Sequence, residues 1–370
     1  MGADASCDGS ARLCHPCAMR WPSATGVTTM SLTEATFRPT APDTTADVFI
    51  DLSPLPPSDA VRGTLCVPLR MRHAGLQTVR IRYEVVGAAD APVLVVAGGI
   101  SADRHVLASA AFPEPGWWQG QADSFDLQRQ RLVAIDWLGS DGSLDVPIDA
   151  ADQADAIAGV LEALNIDRVQ AFIGSSYGGM SGLQFAARHP QRLHALVVIS
   201  AAHRAHPFAS AWRALQRRAV ALGALQCDAA AGLALARELA MLSYRTPEEF
   251  AQRFAEPPRI VHGQVRCAAE NYLDVCGQRY VARTHPTAFV RLSESIDLHR
   301  VDPAGIATPT WVLGVAQDRL VPLDDICELV EHLPEAQLRL LRSDYGHDAF
   351  LKEPAAVDAL LRAALCGGVA

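Results

Sequence analysis

One stretch, residues 172–180, limits the possible folds of this chain more than any other. In it, Gly174-x-Ser176-x-Gly178 joins a mostly apolar run, typical of a buried strand, to a run typical of a helix. A serine in this context occupies a strained turn, and side chains at the flanking positions would collide with the neighbouring strand and helix. The pattern predicts that Ser176 is raised at the end of a sheet, near the positive end of a helix. An ordinary Gly/Ser-rich turn would match too, so the surrounding elements decide between the two.

The segments on either side of this turn alternate between predicted strands and helices. Several strands are unbroken apolar runs, which is typical of strands buried on both faces of a parallel sheet. The first two, 65–69 and 79–86, instead suit an antiparallel pair at one side, with Pro68 confining the first to the edge. This order predicts an α/β fold, in which helices cover both faces of a mostly parallel, doubly wound sheet. The predicted strands are 65–69, 79–86, 92–97, 132–136, 169–173, 196–199, 310–315 and 337–341, and the predicted core helices are 151–164, 181–189 and 353–365.

The predicted elements divide the chain into three regions. Residues 1–60 are rich in small and polar residues with little periodicity, so we expect a mostly disordered or loosely packed leader. Residues 61–202 and 301–370 hold the predicted strands and form the core. Residues 203–300 are helical and contain no clear buried strand, so we expect a helical cap inserted over the carboxyl edge of the sheet.

Composition narrows the possible functions. The 370 residues carry a net charge of -9, which argues against a nucleic-acid partner. The longest apolar stretch, 91–100, is too short to cross a bilayer and no secretory signal is evident, so we expect a cytoplasmic protein with no membrane partner. The nine cysteines fit buried free thiols in a reducing compartment. Residues 14–17, Cys-His-Pro-Cys, resemble half of a metal or redox motif, but without a second ligand pair we predict no metal site.

Two titratable residues follow the late strands of the predicted sheet. Asp318 comes after the second-to-last strand and His347 after the last, where ligands of parallel sheets bind. Alone, Asp318 could be a turn residue and His347 a helix cap. However, the chain order Ser, Asp, His is that of the α/β-hydrolase fold, so we predict that fold and a catalytic triad with Ser176. Asp324 and Asp325 compete for the acidic role, but we expect them inside the next helix.

Each of these side chains has a different role in nucleophilic catalysis. A serine hydroxyl is a poor nucleophile at neutral pH, so His347 would accept its proton while Asp318 orients and stabilises the imidazole. The tetrahedral oxyanion needs hydrogen-bond donors, and the backbone N–H of Tyr177 is the first candidate. The second is expected from the glycine-rich loop at Gly99 and Ile100.

With these residues in place, the chain resembles the homoserine O-acyltransferases of methionine biosynthesis over about residues 78–351. The resemblance covers a Gly-Gly-Met run after the nucleophile and a Gly-His-Asp-Ala-Phe-Leu run around His347. Two cap segments match as well, 242–246 and 270–273. The chain departs from the family in having Ser175 where glycine is usual and in having a shorter cap.

The resemblance implies an acyl-CoA cosubstrate, a homoserine acceptor, no bound cofactor and a homodimer formed through the cap. It also implies that Arg245 and Asp348 bind the amino-acid substrate. Homoserine is a zwitterion, and an arginine suits its carboxylate while an aspartate suits its ammonium group. The alternatives are that Arg245 is a solvated cap arginine and that Asp348 caps the following helix.

The acyl donor and the acceptor are less constrained than the chemistry. A succinyl donor needs a cation near the acyl pocket, and Arg104 and His105 follow the predicted oxyanion loop, so succinyl is favoured over acetyl. Serine as the acceptor is a close alternative. A serine esterase or peptidase of the same fold is another, and a non-catalytic binding protein is a third.

Overall fold

A computed structural model of the chain describes residues 60–366, so the Cys-His-Pro-Cys segment and nearly all of the expected leader lie outside the described residues. The strands are β1 Val61–Met71, β2 Gly75–Gly87, β3 Val93–Ala97, β4 Arg131–Ile135, β5 Val169–Ser175, β6 Leu193–Ile199, β7 Arg259–Val261, β8 Gln264–Arg266, β9 Thr310–Val315 and β10 Ala336–Leu341. The α-helices are α1 Ala150–Ala163, α2 Tyr177–Arg188, α3 Pro207–Leu225, α4 Ala229–Tyr244, α5 Pro247–Arg253, α6 Ala268–Val281, α7 Pro286–Leu298, α8 Leu323–His332, α9 Ala349–Lys352 and α10 Pro354–Cys366. Short 3₁₀ turns lie at Gln119–Ser124, Pro190–Arg192, Pro303–Gly305 and Gly346–Asp348.

Eight of the strands form one sheet in the order β1-β2-β4-β3-β5-β6-β9-β10. β1 and β2 pair antiparallel, as does β2 with β4, and every other neighbouring pair is parallel. The predicted α/β-hydrolase architecture, with its antiparallel pair at one side and Pro68 on an edge strand, is therefore confirmed. The first two strands are longer than predicted because their alternating, half-exposed ends carry little apolar signal.

The core lies on both faces of this sheet. Successive residues of β3 alternate between two hydrophobic clusters, with Val95 facing the side covered by α1 and α2, and Val96 facing the side covered by α10. Helix α1 begins with a reciprocal capping box, in which Asp149 accepts from the N–H of Ala151 and Asp152 accepts from the N–H of Asp149. These helices cover the two faces of the sheet and leave the carboxyl ends of its parallel strands uncovered.

The segment between β6 and β9 forms the cap. It contains helices α3 to α7 and the short β7–β8 hairpin, which the sequence did not predict because its residues are almost all exposed and carry no buried pattern. Arg204 and Arg300 pair as an isolated antiparallel bridge, so the chain leaves and re-enters the core at adjacent points. The cap has its own small apolar cluster, which includes Leu233, Tyr280 and Phe289.

Three expectations from composition can be compared with residues 60–366. The cysteines with described surroundings are free thiols as expected, but they are not buried: Cys66 and Cys227 are exposed and Cys267, Cys276 and Cys327 are half-buried. The expectation of burial is wrong because the position of a cysteine inside a helix or strand does not show which face of that element it occupies. Within the described range, no helix has the length and apolarity required to cross a bilayer. The same range holds no group of three or more His, Cys, Asp or Glu side chains placed to ligate a metal ion.

Candidate active site

Ser176 lies on the tight turn between β5 and α2. Its φ of 53° and ψ of -118° are strained for a residue with a side chain. The flanking glycines make the turn possible, because a β-carbon at Gly174 would lie 2.3 Å from the carbonyl oxygen of Gly178. A β-carbon at Gly178 would lie 2.0 Å from the carbonyl oxygen of Ala97 on β3. The predicted nucleophile turn is thus packed between strand and helix as the motif requires.

The structure brings Ser176, His347 and Asp318 into direct contact. His347 Nε2 lies 2.8 Å from Ser176 Oγ, and His347 Nδ1 lies 2.7 Å from Asp318 Oδ2. The other carboxylate oxygen of Asp318 accepts from the N–H groups of Leu320 and Val321, at 2.8 and 3.0 Å. Because a carboxylate only accepts hydrogen bonds, Nδ1 carries the imidazole proton and Nε2 is left to accept from the serine hydroxyl. This is the tautomer that a general base needs.

The surroundings of His347 tune its basicity. Burial by itself lowers the pKa of this imidazole, but the charge and hydrogen bond of Asp318 outweigh it, so the pKa is raised above the ordinary value of 6.5. The ring also packs between Tyr244, at 5.9 Å between centroids, and Phe350, at 6.3 Å. Asp324 and Asp325 both lie in α8 as expected, and the carboxylate that contacts His347 is that of Asp318.

The predicted oxyanion donors lie beside the nucleophile. Tyr177 is the first residue of α2, so its N–H has no acceptor within the helix. The carbonyl oxygen of Gly99 accepts from the N–H of Ala102 at 2.9 Å and from Trp137 Nε1 at 3.1 Å. Since C=O and N–H point in opposite directions across a trans peptide, this fixes the direction of the Ile100 N–H. Gly99, Ile100 and Tyr177 all line the cavity that contains Ser176.

That cavity has a volume of about 540 Å³ and lies between the core and the cap. Six cationic side chains line it against two aspartates, and three of the six form no ion pair within residues 60–366, so the lining keeps a positive charge in a chain of net charge -9. The lining cations are Arg204, Arg213, Arg237, Arg245, Arg283 and Lys352, and the aspartates are Asp325 and Asp348. Anionic substrates therefore suit this site better than neutral or cationic ones.

Arg245 and Asp348 meet at the wall of the cavity. Arg245 Nε lies 3.0 Å from Asp348 Oδ2, and the Arg245 guanidinium also contacts Glu249. The hydroxyl of Thr246 donates to the carbonyl oxygen of Asp344, which ties this end of α4 to the loop that carries His347. Asp348 makes no side-chain capping bond to α9, so the helix-cap alternative is not what the structure shows. Burial raises the pKa of Asp348, and Arg245 opposes that rise.

Arg104 does not lie where a cation that binds the succinyl group of the donor would be needed. Its Nη1 lies 2.9 Å from Asp136 Oδ2, and its backbone N–H donates to the same carboxylate. His105 is held in turn by Glu84, at 2.9 Å. Both residues line a neighbouring cavity of about 360 Å³ and not the one that contains Ser176. The prediction rested on nearness in sequence to the oxyanion loop, and that loop turns these side chains toward Asp136 and Glu84.

Sequence reasoning missed several residues that line the cavity. Trp117 and Trp118 stack at 5.1 Å between centroids, and Trp118 Nε1 donates to the carbonyl oxygen of Phe350 at 3.0 Å. Arg237 and Tyr244 lie seven residues apart on α4 and also face the cavity. Their helical spacing was a usable signal, whereas the position of the tryptophan pair depends on a loop without periodicity.

The fold and this site define the class of the protein. A family model described as alpha/beta hydrolase fold matches residues 92–354, so the chain belongs to the α/β-hydrolase family. A solved structure of homoserine O-acetyltransferase from Bacillus anthracis matches with a TM-score of 0.74 at 15% identity, over 83% of this chain and 97% of that one, which is a likeness of fold.

Similar proteins show to which family of α/β hydrolases the chain belongs. The chain is 60% identical over 329 residues to a homoserine O-succinyltransferase from Xanthomonas campestris pv. campestris, covering 88% of this chain and 89% of the relative. It is 31% identical over 365 residues to a serine O-succinyltransferase from the same organism, covering 80% of this chain and 95% of the relative. The chain belongs to the homoserine O-acyltransferase family of α/β hydrolases.

Proposed function

We propose that this protein transfers a succinyl group from succinyl-CoA to the hydroxyl of L-homoserine, through an acyl-enzyme on Ser176, in methionine biosynthesis. The observation that carries the proposal is the contact of Ser176 with His347 and of His347 with Asp318 in a chain 60% identical to a homoserine O-succinyltransferase. The lower identity, 31%, to a serine O-succinyltransferase favours homoserine over serine as acceptor.

In the first half-reaction, Ser176 Oγ attacks the thioester carbonyl of succinyl-CoA while His347 Nε2 takes the hydroxyl proton. The backbone N–H groups of Tyr177 and Ile100 stabilise the tetrahedral oxyanion, and the hydrogen bonds to the carbonyl oxygen of Gly99 hold the loop that carries Ile100 in place. When the C–S bond breaks, the imidazolium returns the proton to the departing CoA thiolate. The products are free CoA and a succinyl ester on Ser176.

In the second half-reaction, homoserine replaces CoA. The carboxylate of homoserine binds Arg245 and its ammonium group binds Asp348. The amino acid therefore replaces the ion pair that these two side chains make with each other. The side-chain hydroxyl gives its proton to His347 and attacks the ester carbonyl, and the proton returns to Ser176 as the C–O bond to the enzyme breaks. Transfer in place of hydrolysis requires that water be kept from the acyl-enzyme, and we expect the cap to provide this exclusion.

A panel of donors and acceptors tests this function. The protein is mixed with succinyl-CoA or acetyl-CoA, alone or with homoserine or serine, and free thiol and acylated amino acid are both measured. We expect thiol release that depends on homoserine, a faster rate with succinyl-CoA and O-succinylhomoserine as the product. Equal thiol release without any acceptor would indicate an esterase, and a higher rate with serine would indicate the alternative acceptor.

We also propose that the enzyme works in the cytoplasm as a homodimer, with acyl-CoA as cosubstrate and no resident cofactor or metal. The free thiols of the described cysteines fit a reducing compartment. Exposed apolar side chains along α3 support self-association through the cap: Phe208, Leu215, Leu222 and Leu225.

A further inference from the structure

Arg237 is a cavity-lining cation that forms no ion pair with any of the described residues. It lies on α4 four residues before Met241 and seven before Tyr244, and this spacing places all three on the face that lines the cavity. Its guanidinium carbon lies 5.5 Å from the ring centre of Tyr244 and 4.9 Å from that of Tyr280. Across residues 60–366, no carboxylate forms an ion pair with Arg237 and no acceptor forms a hydrogen bond with it.

The other inward-facing arginines of the cavity are neutralised. Arg204 makes two contacts of 2.6 Å with Glu328, and Arg213 Nε lies 2.7 Å from Asp297. Arg245 is held by Glu249 and Asp348. Arg237 is half-buried, its direct contacts are aromatic, and Asp348, which acts on it only through space, is already held by Arg245. Such a cation is costly to desolvate unless an anion joins it directly. The contrast indicates that the partner of Arg237 is supplied by a ligand.

The position of Arg237 indicates which chemical group of a substrate it binds. The Tyr244 ring that it faces lies 5.9 Å from the imidazole of His347, so one aromatic ring separates Arg237 from the reacting centre. The phosphates of CoA are separated from the thioester by the whole pantetheine arm. The distal carboxylate of a succinyl group is only two methylenes from the carbonyl that Ser176 attacks. Arginine binds such a carboxylate through two parallel hydrogen bonds while its plane stays stacked on aromatic rings.

We propose that Arg237 binds a substrate carboxylate during the reaction. The arrangement favours the distal carboxylate of the succinyl group, because Arg245 becomes available to the acceptor's carboxylate when Asp348 takes its ammonium group. The acceptor's own carboxylate is the other source. The inference rests on the proposed acyl transfer, and it assigns to Arg237 the donor selectivity that sequence reasoning assigned to Arg104.

The test compares wild type, Arg237→Gln and Arg237→Lys with two donors, succinyl-CoA and acetyl-CoA, at varied homoserine. For Arg237→Gln we expect kcat/KM for succinyl-CoA to fall by about 10- to 100-fold, as for loss of a hydrogen bond to a charged group. The value for acetyl-CoA should change less than threefold, and Arg237→Lys should recover part of the loss. Arg283→Gln is the matched control, because Arg283 is an exposed cation on the same cavity. It should affect both donors equally.

The outcomes separate the two sources and the two proposals. A loss confined to succinyl-CoA assigns Arg237 to the acyl carboxylate, and a rise confined to the KM for homoserine assigns it to the acceptor carboxylate. An equal loss for both donors with an unchanged KM for homoserine would overturn the proposal, as would no change at all. Unaltered thermal unfolding and Ser176 labelling by a fluorophosphonate show that the variant is folded. Wild type that releases no thiol in response to homoserine would instead refute the proposed function.

Discussion

Ser176 has a left-handed backbone conformation on a tightly packed turn, and its hydroxyl lies 2.8 Å from His347 Nε2. Asp318 then fixes the other side of the imidazole, with both of its oxygens occupied by hydrogen bonds. The base is therefore preorganised before any substrate arrives. Its pKa, raised by Asp318 against the lowering effect of burial, sets the pH at which the base becomes available.

Asp318→Asn tests this coupling. The reaction needs neutral His347, so activity falls as the pH drops through the imidazole pKa, which lies above 6.5 in the intact enzyme. Removing the carboxylate removes the raising effect and leaves burial, so the acidic limb of the kcat/KM profile should move to lower pH. The maximal rate should fall by about 10⁴-fold because the imidazole loses its oriented tautomer. An acidic limb that stays in place in the variant would show that a different group titrates.

The triad could be predicted from sequence because each member directly follows a strand, and strand ends are readable as apolar runs that stop. The cation proposed to bind the succinyl carboxylate could not be predicted from sequence. Arg104 is near Ile100 in sequence but is turned away by Asp136, whereas Arg237 is distant in sequence and reaches the cavity only through the packing of α4 in the cap. Tertiary contacts, which sequence distance does not reveal, place Arg237 and not Arg104 at the wall of the cavity that contains Ser176.

Strand β5 and helix α2 form one closely packed unit. The helix begins directly after the nucleophile, and Gly178 N–H donates to the carbonyl oxygen of Gly98 at 2.9 Å, which joins α2 to the oxyanion loop. Tyr177 extends the unit to the cap, because its hydroxyl lies 2.5 Å from Ser295 Oγ on α7. The sequence predicted the strand and the helix, but not this link, since nothing in the pattern pairs residue 177 with residue 295.

Two Gly→Ala substitutions test how tightly this unit is packed. Gly178→Ala would place a β-carbon 2.0 Å from a backbone oxygen of β3, so unfolding free energy should fall by about 3 kcal/mol or more and Ser176 labelling should slow. Gly159→Ala in α1 meets nothing within 4 Å, so its better helix propensity should stabilise the protein by about 0.5 to 1 kcal/mol. Denaturant unfolding measures both. Equal effects of the two substitutions would contradict the packing described for the turn.

At the scale of the whole molecule, charge and apolar surface are unevenly distributed. The chain is acidic overall, yet the cavity is rich in arginine, which suits the anionic CoA thioester. Phe208, Leu215 and Leu222 are exposed and recur every seven residues along α3, so they form a stripe on one side of a cap helix. Such a stripe is typical of a helix that packs on a partner.

Leu222→Glu tests the proposed homodimer. Leu222 is 64% exposed, so a glutamate there should not disturb the subunit fold but should convert dimers to monomers by burying a charge at the interface. Light scattering after size-exclusion chromatography measures the mass. Leu76→Glu on β2 is the control, since Leu76 is 62% exposed and distant from the cap in sequence, and it should leave the mass unchanged. A wild-type protein that is monomeric at micromolar concentration would contradict the dimer.

The intact mass of the protein after rapid mixing with succinyl-CoA tests whether acyl transfer passes through Ser176. We predict a single succinyl adduct that maps to Ser176, is absent from Ser176→Ala and disappears on addition of homoserine with formation of O-succinylhomoserine. An adduct that forms on another residue, or homoserine acylation by the Ser176→Ala variant at the wild-type rate, would exclude an acyl-enzyme on Ser176.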